Sequence, residues 1–119
     1  MILNTDDVKN IYLCTSSIDF RKQLDGLLQF INAQFDEDIL DHSLFVFVSK
    51  DKKKIKIIYY DGTGFWMFMK RIEKSKFKVS FEEVIHTRNI TSRQLKYLLE
   101  GLKMDLVIDK NIPKNHMIL

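Results

Sequence analysis

The sequence predicts an α+β fold, a single domain in which an antiparallel sheet of three to five strands packs with two helices. Three observations point there. Apolar residues recur at helical spacing from Phe20 to Phe35 and again from Leu95 to Leu102, but switch to strand spacing between residues 44 and 71. Turn-forming residues separate the strand-like runs. A chain of 119 residues with 45% apolar and 12% aromatic content also suits one domain with a filled core.

Taken in order, Asn10-Ile11-Tyr12-Leu13-Cys14 is a short apolar strand ending in Thr15-Ser16-Ser17, a helix-start signal. Phe20, Leu24, Leu27, Leu28, Ile31 and Phe35 then form one helical stripe, with Ser17 or Asp19 expected to accept the first free amides. Asp36-Glu37-Asp38 past its end opposes the helix dipole and reads as a solvated loop. Leu44-Phe45-Val46-Phe47-Val48 is an apolar strand, residues 49–53 a polar turn, and Lys54 to Tyr60 an alternating strand. Asp61-Gly62-Thr63-Gly64 joins it to Phe65-Trp66-Met67-Phe68-Met69-Lys70-Arg71. A simple closure of that loop pairs Tyr60 with Phe65, Ile58 with Met67 and Lys54 with Arg71, completing a three-stranded antiparallel meander. Val84 to Thr87 is expected to add a short strand. Thr91-Ser92-Arg93-Gln94 is a capping box opening a second helix with the stripe Leu95, Leu98, Leu99, Leu102, and Gly101 lies near its end. The domain is therefore expected over residues 1–102. Residues 103–119, with Pro113 and His116, have no clear period and read as a tail, partly disordered or docked on a partner.

The net charge of +3 conceals a strong asymmetry. Residues 1–49 hold three cations and eight anions, residues 50–78 ten cations and three anions, and residues 79–119 six and five. The predicted meander brings the turn at 49–53 to the sheet end that carries Lys70, Arg71 and the stretch from Lys74 to Lys78. Cations gathered this way suit a polyanionic partner, because neutralised phosphates release condensed counterions. The plainer reading is a set of solvated lysines guarding sheet edges. The strand from Phe65 to Met69 is apolar on both faces, so both are expected to be covered, by the helices or by another protein.

Catalytic signals are weak. Cys14 lies in an apolar strand and reads as a small buried hydrophobe; as the sole cysteine it cannot form an intramolecular disulfide, which points to a reducing compartment. His42, His86 and His116 are too dispersed to suggest a metal site, and the acidic run with Asp41 lacks a calcium-loop pattern. The Asp61 to Gly64 loop joins two strands instead of opening a helix, so it reads as a hairpin turn and not a phosphate cradle. No apolar run approaches the about 20 residues needed to span a bilayer, and no secretion signal is recognised, so a soluble, cytoplasmic protein without metal, cofactor or membrane partner is expected.

Some strings are more specific than their periodicity. Ile57-Ile58-Tyr59-Tyr60-Asp61-Gly62-Thr63-Gly64-Phe65-Trp66 and Lys70-Arg71-Ile72-Glu73-Lys74-Ser75-Lys76-Phe77 closely resemble the TnpB accessory proteins of the insertion-sequence-66 transposon family. So, in order, do Ile11-Tyr12-Leu13, Asp19-Phe20-Arg21-Lys22, Leu24-Asp25-Gly26-Leu27, Leu44-Phe45-Val46-Phe47, Ile90-Thr91, Gln94-Leu95 and Leu99-Glu100-Gly101. The resemblance spans roughly residues 8–102. It departs at Gln23, where a glycine is common, and in the tail, which is less basic than the family's Arg-rich one.

The resemblance implies a non-catalytic helper of DNA transposition in a bacterial mobile element, working with a separate large transposase that carries the acidic triad. Two roles follow. In one, Lys52, Lys53, Lys54, Lys70, Arg71, Lys74 and Lys76 contact the phosphates of transposon DNA ends, with Arg21 and Lys22 as further anchors. In the other, Trp66 and Phe68 dock the chain on the transposase with no DNA contact. A small nuclease is the third possibility. No three carboxylates stand out as a two-metal site, so no cleavage is expected.

Overall fold

The computed structural model describes residues 8–14, 20–35, 42–79 and 87–102. Five strands form one sheet: β1 (Asn10–Cys14), β2 (Ser43–Val48), β3 (Lys54–Tyr60), β4 (Phe65–Arg71) and β5 (Thr87–Ile90), with helices α1 (Leu24–Gln34) and α2 (Ser92–Leu99). The strand order is β4-β3-β2-β1-β5.

The meander β2-β3-β4 is antiparallel throughout, in the register read from the sequence: Tyr60 opposite Phe65, Ile58 opposite Met67 and Lys54 opposite Arg71. The sheet as a whole is mixed, which corrects the antiparallel expectation. β1 runs parallel to β2, with Leu13 opposite Val46, and antiparallel to β5, with Leu13 opposite Arg88. A parallel pair cannot be closed by a hairpin and needs a crossover, which the segment containing α1 supplies.

Strand parity sorts the core into two layers. Ile11, Leu13, Leu44, Val46, Ile55 and Ile57 face Leu95 and Leu98 of α2 together with Phe77 and Val79. Cys14, Phe45, Phe47 and Ile58 face Leu27 and Ile31 of α1. Tyr12, Phe35 and Phe45 meet ring against ring on this second face, with centroids 5.0 to 5.5 Å apart. β2, in the middle, is buried along its whole length, as a strand covered on both sides must be.

The helices begin differently. At α2 the capping box is complete: Gln94 N donates to Thr91 Oγ1 (3.0 Å) and Thr91 N to Gln94 Oε1 (2.8 Å). α1 starts at Leu24 and leaves Phe20 outside it; its N-cap is Gln23, without a side-chain cap, while Ser17 and Asp19 lie outside the described residues. The reason is Lys56, whose Nζ donates to Phe20 O (2.9 Å) and Lys22 O (3.0 Å), two carbonyls that an earlier helix start would have used.

One further expectation is corrected, and others lie wholly or partly outside the described residues. The last strand begins at Thr87, and Val84 to His86 lie outside the described residues. α2 ends at Leu99, so Leu102 falls beyond the helix and is exposed. Its stop is marked by Gly101, whose φ of 77° is costly for other residues. The acidic run Asp36 to Asp41, His116 and the 103–119 tail also lie outside the described residues. Among the described residues, no helix is long and apolar enough to cross a membrane.

Candidate functional site

The basic end of the sheet is built by two segments locked together. In the turn after β2, Ser49 N donates to Lys54 O (2.9 Å) and Lys52 N to Ser49 O (2.9 Å), with Lys52 in the left-handed region at φ 61°. Asp51 Oδ1 accepts from Ser49 Oγ (2.6 Å) and Lys53 N (3.0 Å). The Ser49 hydroxyl, then the Lys53 amide and the nearby Lys54 and Lys53 charges, hold this exposed carboxyl below its ordinary range. The chain leaving β4 then wraps around the same turn. Ile72 N donates to Lys53 O (2.9 Å), Phe77 N donates to Lys52 O (2.7 Å), and the Phe77 ring is buried. Residues 73–76, carrying Lys74 and Lys76, therefore bulge outward beside Lys52, Lys53, Lys54 and Arg71.

The sequence-predicted cations are thus largely brought to one end, with two qualifications. Lys70 Nζ donates to Leu99 O at the C-terminus of α2, where a cation meets the negative end of the helix dipole, so it ties β4 to α2. Arg71 pairs with Glu73 at 2.9 Å, but both side chains are mostly exposed, and such pairs are weak and easily exchanged for another anion.

Arg21 and Lys22 join the same end through a residue that sequence reasoning missed. Lys56 is buried, its Nζ lying 4.8 Å from the Phe20 ring centroid and bonded to the carbonyls flanking Arg21. It lies one same-face step along β3 from Lys54, so it pins the Arg21-Lys22 corner beside the Lys54–Arg71 pair. Its signal was strand parity: two residues from inward-facing Ile58, it had to face α1. Gly26 lets this corner lie close to the helix, since a Cβ there would come within 3.0 Å of Lys22 Cβ.

The second candidate surface is β4 itself. Of the two ways its faces were expected to be covered, the helices do not supply one: they reach over β1 to β3 and leave β4, the edge strand, largely exposed, with only Phe68 partly buried against the α2 layer. Trp66 is 54% exposed yet held in place: its Nε1 donates to Asp61 Oδ2 (2.8 Å) and its ring stacks on Phe68 at 6.0 Å. Asp61 Oδ1 also accepts from Thr63 N, Thr63 Oγ1 and Gly64 N, each at 2.9 Å. These donors, the Thr63 amide and the Trp66 indole foremost, hold the Asp61 carboxyl far below its ordinary range. Asp61 is therefore a turn-former that also positions Trp66.

Cys14 is buried, and burial pushes its thiol up to about 12, which keeps it protonated and unreactive. No group of three or more His, Cys, Asp or Glu among the described residues could hold a metal ion.

The family model described as "IS66 Orf2 like protein" matches residues 9–108, most of the chain and all of the described sheet and helices. The chain belongs to that family. Members of the IS66 Orf2-like family are accessory proteins associated with transposition and not its catalysts. Among curated proteins, the chain is 31% identical over 67 residues to the uncharacterized protein y4jC of Sinorhizobium fredii, covering 56% of this chain and 57% of the relative. It is 29% identical over 92 residues to the uncharacterized protein y4hO of the same organism, covering 77% and 79%. The chain thus spans little more than half of the first relative and about four fifths of the second. No solved structure matches it.

Proposed function

We propose that this IS66 Orf2-like chain assists transposition by holding DNA through its phosphates at the basic end of the sheet, beside a separate large transposase that performs the chemistry. The observation that carries this reading is the wrap of residues 72–77 around the 49–53 turn, which sets cations from two distant segments on one end. Two carboxylates, Asp51 and Glu73, lie in those segments, and each is engaged with its own neighbours. Lysine and arginine contacts to phosphate orient a protein on DNA without reading its sequence.

The test is a fluorescence-anisotropy titration of a duplex transposon end and a scrambled duplex at about 50 mM and about 200 mM salt. Both duplexes should bind alike, weakly, and more weakly at the higher salt. Replacing Lys53, Lys54 and Lys74 with alanine should reduce the magnitude of the log–log salt slope by up to roughly 2.7, or about 0.9 for each phosphate no longer neutralised. Absence of binding at low salt, or binding indifferent to salt, would sink the reading.

The exposed, pinned Trp66-Phe68 pair favours a second reading, in which the chain is an adaptor on the transposase. The same titration separates the two, since an adaptor leaves the duplex untouched even at low salt.

A further inference from the structure

From the free edge of β4 we infer that this chain forms a two-fold dimer in which β4 pairs antiparallel with β4 of a second copy, joining two sheets into one. Such pairing does not require DNA. It rests first on the direction of the main-chain groups. Asp61 N donates to Gly64 O (3.0 Å) at one end of the β3–β4 ladder and Ile72 N to Lys53 O (2.9 Å) at the other. Antiparallel ladders alternate bonded and non-bonded pairs, so Trp66, Phe68 and Lys70 turn their amides and carbonyls to β3. Those of Phe65, Met67, Met69 and Arg71 point outward, and no described segment pairs with them.

Natural edges are usually guarded by a proline, a bulge, an inward-facing charge or a very short strand. β5, at the other edge, is four residues long. β4 is seven residues long, has no proline, keeps an unbroken register with β3, and exposes Phe65, Trp66, Met67 and Met69. Its charges stand only at the end, at Lys70 and Arg71.

The sequence of the strand selects a second copy as the occupant. Antiparallel self-pairing centred on Phe68 sets Phe65 opposite Arg71, Met67 opposite Met69 and Trp66 opposite Lys70. Every outward-bonding residue then meets another outward-bonding residue, as the ladder requires. Arg71, whose exposed pair with Glu73 is easily exchanged, then faces the Phe65 ring of the other copy, a favourable pairing, and the two Arg71 residues lie at opposite ends, roughly 20 Å apart at about 3.4 Å per residue. Shifting the centre to Met67 or Met69 leaves Lys70 or Trp66 without a partner in the strand.

The decisive measurement is the mass of the full chain by sedimentation equilibrium, together with two variants. The wild-type chain should be dimeric at tens of micromolar and unaffected by moderate salt. Met67→Pro removes one outward N–H that β3 does not use, and should give a folded monomer with an unchanged circular dichroism spectrum. Phe68→Cys alters the one position that the register pairs with itself, and should yield a disulfide-linked dimer on mild oxidation, whereas Met67→Cys and Met69→Cys should not. A monomeric wild-type chain overturns the inference, including the case where the edge is taken only by the transposase or by residues 103–119 of the same chain. A dimer in which Phe68→Cys stays unlinked overturns the register, whatever the proline variant does.

Discussion

Asp61 and Lys56 show how single side chains fix the two surfaces. Asp61 gathers four donors on an exposed turn, so its charge is worth more to the folded chain than to the unfolded one. Because the folded carboxyl titrates below its ordinary value, the stabilisation is fully present above about pH 4 and is lost as the pH falls through the lowered folded value. Trp66 is the sole tryptophan, so its fluorescence reports the event directly. The native signal should hold steady down to about pH 4 and change only below it, and Asp61→Asn should abolish that acid step. A wild-type transition centred on the ordinary carboxylate range would contradict the assignment. Lys56 was legible only in part. Its charge counted toward the basic segment, and strand parity turned it inward, but its carbonyl partners lie 36 and 34 residues away and no local pattern announces them.

Among the elements, those whose boundaries are chemical were readable and those whose boundaries are tertiary were not. β3 and β4 run over the residues the alternation and the glycine turn delimit, and α2 opens on its capping box. α1 begins later than its stripe suggests, because a lysine from the sheet holds the preceding carbonyls. The basic end was foreseeable from the meander's register, whereas the tie between Lys70 and α2 was not, since it depends on where a helix from another part of the chain docks. The contrast between the helices gives a test. α2 has eight residues, too few to persist alone, so its cap matters. Thr91→Ala should cost about 1 kcal/mol in urea unfolding, while Gln23→Ala at the uncapped start of α1 should cost much less. Equal losses would mean that the capping box contributes nothing particular.

At the scale of the whole molecule, the direction of β1 was the part of the fold hidden from sequence reading. An apolar strand carries no mark of whether its neighbour runs with it or against it; the choice follows from the crossover and from the late return of β5. That topology also dictates an order of assembly. β2, β3 and β4 are joined by short turns and can pair locally, whereas β1 needs both the crossover and a strand that begins at Thr87. Leu13→Ala, at a fully buried site in β1, should therefore cost about 2–5 kcal/mol mainly by speeding unfolding, whereas Ile57→Val in β3 should slow folding. Stopped-flow chevrons would show this, and a Leu13 variant that slows folding in proportion to its lost stability would refute it. During synthesis, then, the first of the described strands to leave the ribosome meets one neighbour when β2 follows it, but its other edge stays unpaired until the sequence through Ile90 has been translated.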